Sequence, residues 1–132
     1  MSAEFKVEVI SPEKSYFSKD TVTEVVVPGY EGEMGILKDH ISLISFLKPG
    51  IIKVFSKDGE EKFYVDDGIV EFKDNSLSIL TSSIFNVKDK DKNFIERSIN
   101  EAEKELSNQD LEDQKRFLID NKIDVLKSLT LN

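Results

Sequence analysis

Pro28-Gly29-Tyr30-Glu31-Gly32-Glu33-Met34-Gly35-Ile36-Leu37-Lys38-Asp39-His40 is a segment that must bend repeatedly. Gly29, Gly32 and Gly35 fall at even spacing, and glycine reaches backbone angles that other residues avoid. Its only histidine closes the run. Upstream, residues 21–27 are β-branched at every position but Glu24, which reads as a strand. The unbroken Val25-Val26-Val27 implies burial on both faces or passage between two sheets. Downstream, period-2 spacing puts Ile41, Leu43, Ser45 and Leu47 on one face, and Ile44 and Phe46 on the other, before the turn Lys48-Pro49-Gly50.

Working outward, the same grammar repeats. Phe5, Val7 and Val9 alternate with Lys6 and Glu8 in a first strand that ends at Ser11-Pro12. Tyr16-Phe17 is a short apolar patch before the residue 21–27 strand. Residues 51–55 form another strand, and Asp58-Gly59 supplies a hairpin turn. Phe63 and Val65, then residues 69–72 and 77–80, complete the series, with Asp66-Asp67-Gly68 and residues 73–76 as turns. Strands recurring roughly every 8–12 residues indicate an antiparallel β-sandwich or barrel.

The pattern changes after Val87. Residues 88–92 alternate Lys and Asp, and neither Gly nor Pro occurs beyond them. Ile95, Ile99, Ala102 and Leu106 form the stripe of an amphipathic helix. Residues 107–110 break it, with Asp110 as the expected N-cap of a second helix. Leu111, Leu118, Ile119, Ile123, Leu126 and Leu129 supply that helix's apolar side. Two helices so closely joined pack antiparallel. The expected organisation is a β-sandwich domain over residues 1–87 and a helical hairpin domain over residues 88–132.

A chain of 132 residues buries a core without staples. It contains no cysteine, which excludes disulfides and thiolate metal sites. Lys plus Arg total 18 against 26 Asp plus Glu, a net charge of -8, which disfavours binding nucleic acid or anionic lipid. No apolar run approaches the roughly 20 residues that span a bilayer. The first residues lack the pattern of a secretion signal or transit peptide, so action in the compartment of synthesis is expected, with membrane association only through partners.

Candidate chemistry is sparse. Glu31 and Glu33 resemble a carboxylate pair, but catalysis requires one of the two to be buried and both to be held at fixed separation. In a Gly-rich turn they read as solvated carboxylates. A single histidine, His40, builds no multi-histidine metal site, and no Ser-His-Asp spacing accompanies it. The glycines match neither phosphate-binding pattern. No catalytic residue, metal or cofactor is expected: the residues describe a binding or structural module.

Several blocks in a fixed order carry a resemblance. They are Val-Ile-Ser-Pro at 9–12, Val-Val-Val-Pro-Gly-Tyr-Glu-Gly-Glu-Met-Gly-Ile-Leu at 25–37, His40, Leu-Lys-Pro-Gly at 47–50 and Phe-Tyr-Val-Asp-Asp-Gly-Ile-Val-Glu at 63–71. Together they resemble the epsilon subunit of the F-type rotary ATP synthase, called delta in mitochondria, over nearly the whole chain. The resemblance implies a non-catalytic rotor subunit of the central stalk, which couples the proton-driven c-ring to gamma and so to ATP synthesis in the catalytic head. It implies a place at the cytoplasmic face of the bacterial inner membrane. By position, Glu31, Gly32, Glu33 and Met34 fall in the family's c-ring-facing turn, and His40, Leu43, Ser45 and Phe46 near its gamma-facing side. Without the resemblance, the residues also suit a free-standing cytosolic sandwich that binds a small ligand or peptide.

The tail matches less well. Some bacterial relatives carry an apolar-Asp-x-x-Arg-Ala motif for ATP on the first helix. Anchoring the alignment on Ala102-Glu103 retains Asp91 but puts Lys90 at the apolar position, Phe94 at the arginine and Ile95 at the alanine. Phe offers no guanidinium fork to a phosphate, so the resemblance implies weak or absent nucleotide binding. In relatives the hairpin also reaches the alpha and beta subunits of the head and blocks rotation, partly through basic residues. Here Lys115, Arg116, Lys122 and Lys127 are balanced by Glu112, Asp113, Asp120 and Asp124, which weakens that expectation.

Overall fold

A computed structural model describes residues 3–130. Nine strands precede two helices. They are β1 (Phe5–Ile10), β2 (Ser15–Gly29), β3 (Gly32–Leu37), β4 (Leu43–Leu47), β5 (Gly50–Ser56), β6 (Gly59–Val65), β7 (Gly68–Lys73), β8 (Ser76–Leu80) and β9 (Ile84–Asn86). A short 3-10 turn, Val87–Asp89, leads to α1 (Lys92–Leu106) and α2 (Asp113–Thr130).

Strand β2 is the common member. Residues 15–22 pair with β1, residues 22–26 with β5, and residues 24–29 with β3. The hydrogen-bonded path runs β1-β8-β7-β4-β2-β5-β6-β9 and returns through β1–β2. A path closed in this way folds into two layers, β1-β8-β7-β4 and β3-β2-β5-β6-β9. The valine run therefore passes between sheets, with Val25 and Val27 fully buried.

The fold departs from the sequence reading at several points. The glycine run, expected to bend repeatedly, turns once at Tyr30-Glu31 and continues as strand β3 (Gly32–Leu37), because pairing with β2 holds it extended through Gly35. Ile84–Asn86 is a strand where none is expected. Strand β2 starts at Ser15, not Thr21, because the polar residues 18–20 are held by pairing with β1. The β1–β8 pair is parallel, unlike every other strand pair among the described residues, since residues 11–75 provide the long connection that a parallel pair requires. Asp110 does not cap α2. Its N–H is taken by Asn108 Oδ1 at 3.0 Å within the interhelical turn, and the helix begins at Asp113.

The sandwich core is built by the alternation. Val7, Val9, Val22, Ile52, Val65, Val70, Leu77 and Ile79 are inaccessible to solvent. Phe5 meets Phe72 edge-on with ring centroids 5.6 Å apart. Each such side chain contributes about 1.5–3 kcal/mol relative to exposure.

The hairpin folds back onto the sandwich. Asp91 caps α1 by accepting the Phe94 N–H at 2.9 Å. Arg116 donates to the Leu106 carbonyl at the end of α1 at 2.9 Å and to the Asn108 carbonyl in the interhelical turn at 3.1 Å, tying the two helices together. Ile95, Ile99, Ala102, Ile123 and Leu126 form a second buried cluster. That cluster includes Tyr64 and packs on Ile51 and Phe85, residues of the β5-β6-β9 face.

Candidate functional site

Chain geometry at the β2–β3 turn explains its glycines. Tyr30 and Glu31 make a two-residue connection between Gly29 and Gly32, which pair with each other. Gly32 has φ +134, a region that L side chains rarely adopt. A Cβ on Gly29 would lie 2.9 Å from the Gly32 carbonyl oxygen. These two positions let the turn close while presenting Tyr30, Glu31 and Glu33 to solvent. Met34 is half-buried and packs against the sandwich core.

Strand β4 lies beside this turn. Gly29 pairs with Leu47, the Tyr30 N–H donates to the Phe46 carbonyl at 3.1 Å, and the Lys48 N–H donates to the Pro28 carbonyl at 3.0 Å. An open cleft of about 450 Å³ is consequently lined by residues 29–34 on one side and Ile44, Ser45 and Phe46 on the other. Glu31 to Met34 thus share one surface with Ser45 and Phe46, whereas His40 and Leu43 do not line it.

Register across the outer face of β1-β8-β7-β4 reveals more of that surface. Phe46 pairs with Ile69, Ile69 with Leu80, and Leu80 with Ile10. The row is apolar yet open: Phe46 is 58% exposed, Ile69 40% and Leu80 47%. With Pro12 and Tyr30 these residues line a groove of about 610 Å³. The adjacent row, Ile44, Glu71, Ser78 and Glu8, carries carboxylates, and the next, Lys73, Ser76 and Lys6, carries ammonium groups. Exposed apolar residues in a contiguous row, graded into charge, describe a protein-docking face.

Residues named from the sequence divide on this scaffold. Phe46 faces outward, whereas Leu43 packs against the core and Ser45 is half-buried. His40 is half-buried too. Its Nδ1 lies 2.8 Å from the Ile41 carbonyl oxygen, and its ring meets Phe72 edge-on at 6.0 Å. The loop before it is fixed by a reciprocal pair: the Asp39 N–H donates to Asn75 Oδ1 at 2.7 Å and Asn75 Nδ2 donates to Asp39 Oδ1 at 2.9 Å. That pairing holds Asp39 at φ 66. Outward-facing Ile69, Leu80 and Tyr30 are given no contact role by the sequence reading. Alternation separates the faces of a strand but does not say which face a neighbouring layer covers.

Asp91 and Phe94, which the resemblance aligns with a nucleotide motif of some relatives, make structural contacts here. Asp91 is the α1 cap, and Phe94 packs edge-on against Phe85 at 5.5 Å with Lys90 Nζ 4.7 Å from its ring. Among the described residues no group of three or more His, Cys, Asp or Glu is placed to hold a metal. No helix among them is long and apolar enough to cross a membrane.

Residues 4–87 match the family model "ATP synthase, Delta/Epsilon chain, beta-sandwich domain". The ATP synthase epsilon chain of Pelagibacter ubique is 66% identical over 129 residues, covering 98% of this chain and 99% of that protein. The epsilon chain of Dichelobacter nodosus is 36% identical over 111 residues, covering 83% and 77%. In fold, the chain is similar to one in the Euglena gracilis mitochondrial ATP synthase assembly of OSCP, F1 and c-ring, with a TM-score of 0.77, 19% identity and coverage of 99% and 82%. It is also similar to one in the Tetrahymena thermophila mitochondrial ATP synthase central stalk and c-ring, with a TM-score of 0.65, 16% identity and coverage of 98% and 98%. This chain belongs to the delta/epsilon chain family of the ATP synthase.

Proposed function

We propose that the chain is a non-catalytic rotor subunit in the central stalk of an F-type ATP synthase, where it couples a proton-driven c-ring to gamma. The carrying observation is the open row Phe46–Ile69–Leu80, continuous with the Tyr30–Met34 turn. Apolar side chains at this exposure are stable in water only at a cost, which a permanent partner removes. The row and His40 side suit gamma, and the carboxylates of Glu31 and Glu33 suit cationic groups on the c-ring loops. Placing the two contacts side by side makes the turn a corner where ring and shaft are gripped together. Family membership weighs against a free-standing ligand-binding module.

The division at residue 87 accompanies this role. The family model ends there, and the two buried clusters lie on either side of the β5-β6-β9 sheet. In this reading the sandwich transmits torque and the hairpin is an appended element that can approach the alpha and beta subunits. The subunit would sit peripherally at the cytoplasmic face of the bacterial inner membrane, held there by the complex.

Co-purification tests the proposal. The chain should recover gamma and c subunits from detergent-solubilised membranes, and Ile69→Asp should lose gamma. Recovery of neither subunit by the unaltered chain would refute the role.

A further inference from the structure

Of the six glycines, all but Gly35 have an internal reason to lack a side chain. Gly32 and Gly59 have positive φ. A Cβ on Gly29, Gly50 or Gly68 would collide with the Gly32 carbonyl oxygen, the Pro28 side chain or the Leu80 carbonyl oxygen, respectively. Gly35 lies in the interior of β3, is exposed, and is not among the glycines with positive φ. The nearest atom to a Cβ added there is a Glu24 carboxylate oxygen at 3.4 Å, the free end of a flexible side chain. Glycine inside a strand weakens it, and where the fold does not demand one it marks close approach from outside.

The surroundings of this bare spot follow from the strand register. On the outward face of β3, Gly35 stands between Glu33 and Leu37, and the residues facing these three on β2 are Val26, Pro28 and Glu24. The outward charges of these paired segments are thus two carboxylates, Glu33 and Glu24. The ammonium groups of the Gly35 row, Lys53 and Lys62, belong to β5 and β6. Among the described residues neither Glu24 nor Glu33 is in an ion pair. Strand β3 pairs with β2 alone, so its far edge is open. Glu33 belongs to the candidate c-ring turn, and Gly35 continues that surface two residues along the strand.

We propose that Gly35 is the floor of a contact for a cationic side chain on a c-ring loop, held there by the Glu24 carboxylate. This rests on the rotor role proposed above and extends the c-ring surface from the turn onto β3 and β2. The missing side chain lets the partner reach van der Waals distance of the strand, and Glu24 and Glu33 supply the opposite charge. Gamma fits this spot less well, because the apolar row that suits it lies on the outer face of the other layer.

Binding of the chain–gamma complex to purified, detergent-solubilised c-ring measures it, beside urea unfolding of the isolated chain. Gly35→Ala should hold or raise the urea midpoint, since alanine loses less freedom on folding. Gly35→Val should lower affinity for the ring at least about tenfold while gamma is retained. Glu24→Gln should lower it about fivefold and flatten its dependence on salt. Unchanged ring affinity in Gly35→Val would overturn the proposal, because nothing would then sit on residue 35. A fall in the Gly35→Ala midpoint would also overturn it, because the fold itself would then require the glycine. Loss of gamma in place of the ring would give the contact to gamma and overturn it as well. Failure of the unaltered complex to bind the ring is a different result: it would refute the rotor role and this contact with it.

Discussion

The backbone N–H of Tyr30 donates to the carbonyl of Phe46 at 3.1 Å, joining the tip of the β2–β3 turn to the last outward residue of β4. Movement at either residue is therefore felt at the other. A contact made by the turn and a contact made by the apolar row are two ends of one rigid corner.

Phe46→Asp tests that corner. The side chain is 58% exposed, so the fold should lose less than about 1 kcal/mol. Affinity for gamma should fall at least about tenfold, because a carboxylate would enter the centre of an apolar interface. Leu47→Ala should behave oppositely. Leu47 is 1% exposed, and removing it should cost about 2–5 kcal/mol in urea unfolding. Titration calorimetry with gamma, beside urea melts of both variants, separates the two effects.

Gly32→Ala and Gly59→Ala form a matched pair. Both glycines have positive φ, at +134 and +124, and neither would place a Cβ within 4 Å of another atom. Backbone strain alone should destabilise each by about 1–3 kcal/mol. Only Gly32 belongs to the candidate c-ring turn, so proton-driven ATP synthesis by the reconstituted enzyme should drop for Gly32→Ala and hold for Gly59→Ala.

How much of this was legible in the residues depends on the distance over which each feature is decided. The valine run, the Asp58-Gly59 turn and the α1 stripe are local, and each lies where the sequence places it. The parallel β1–β8 pair and the start of β2 are set by partners remote in sequence. Ile84–Asn86 is a three-residue strand that exists only because β6 offers its edge. The glycines mark the tight turn at Tyr30-Glu31, but not that Gly32 to Leu37 run on as a strand, since that depends on pairing with β2. Ile69 and Leu80 were not legible, since their exposure follows from the absence of a layer over β7 and β8, which no local pattern records.

Acid should loosen the β6–β7 turn and, through it, the seat of α2. Burial pushes the Asp66 carboxyl up, but hydrogen bonds from Ser83 and Tyr64 and the Lys122 charge outweigh it and hold the group below the ordinary aspartate value. A depressed folded-state pKa contributes stability above the unfolded value, near 4, which is lost as pH falls through the lower folded value. The stability that Asp66 gives the sandwich through Ser83 and Tyr64, and the docked hairpin through Lys122, should therefore be flat from pH 7 to about 5 and decline below about 4. In Asp66→Asn the step assigned to this group should vanish. Hydrogen exchange of α2 across that range, compared with β7, checks the sign.

Nucleotide should find no site at the start of α1. Asp91 is committed to the helix cap and Phe94 to Phe85. Calorimetry with millimolar ATP should show no stoichiometric binding. Asp91→Ala should instead cost about 0.5–2 kcal/mol of hairpin stability through loss of the cap. Tight, saturable ATP heat would overturn this reading.

Removal of the hairpin is the sharpest test of regulation. An inhibitory tail that docks on an acidic surface needs unspent cationic groups. On α2, Arg116 already serves the Leu106 and Asn108 carbonyls and Lys122 is held by Asp66. The remaining Lys115 and Lys127 share the helix with Asp113, Asp120 and Asp124, all exposed, and Glu112 precedes it. Deleting residues 88–132 should thus change ATP hydrolysis by the assembled enzyme less than about twofold, with Ile51 and Phe85 changed to polar residues to keep the bared plate soluble. A rise beyond about fivefold would overturn this reading.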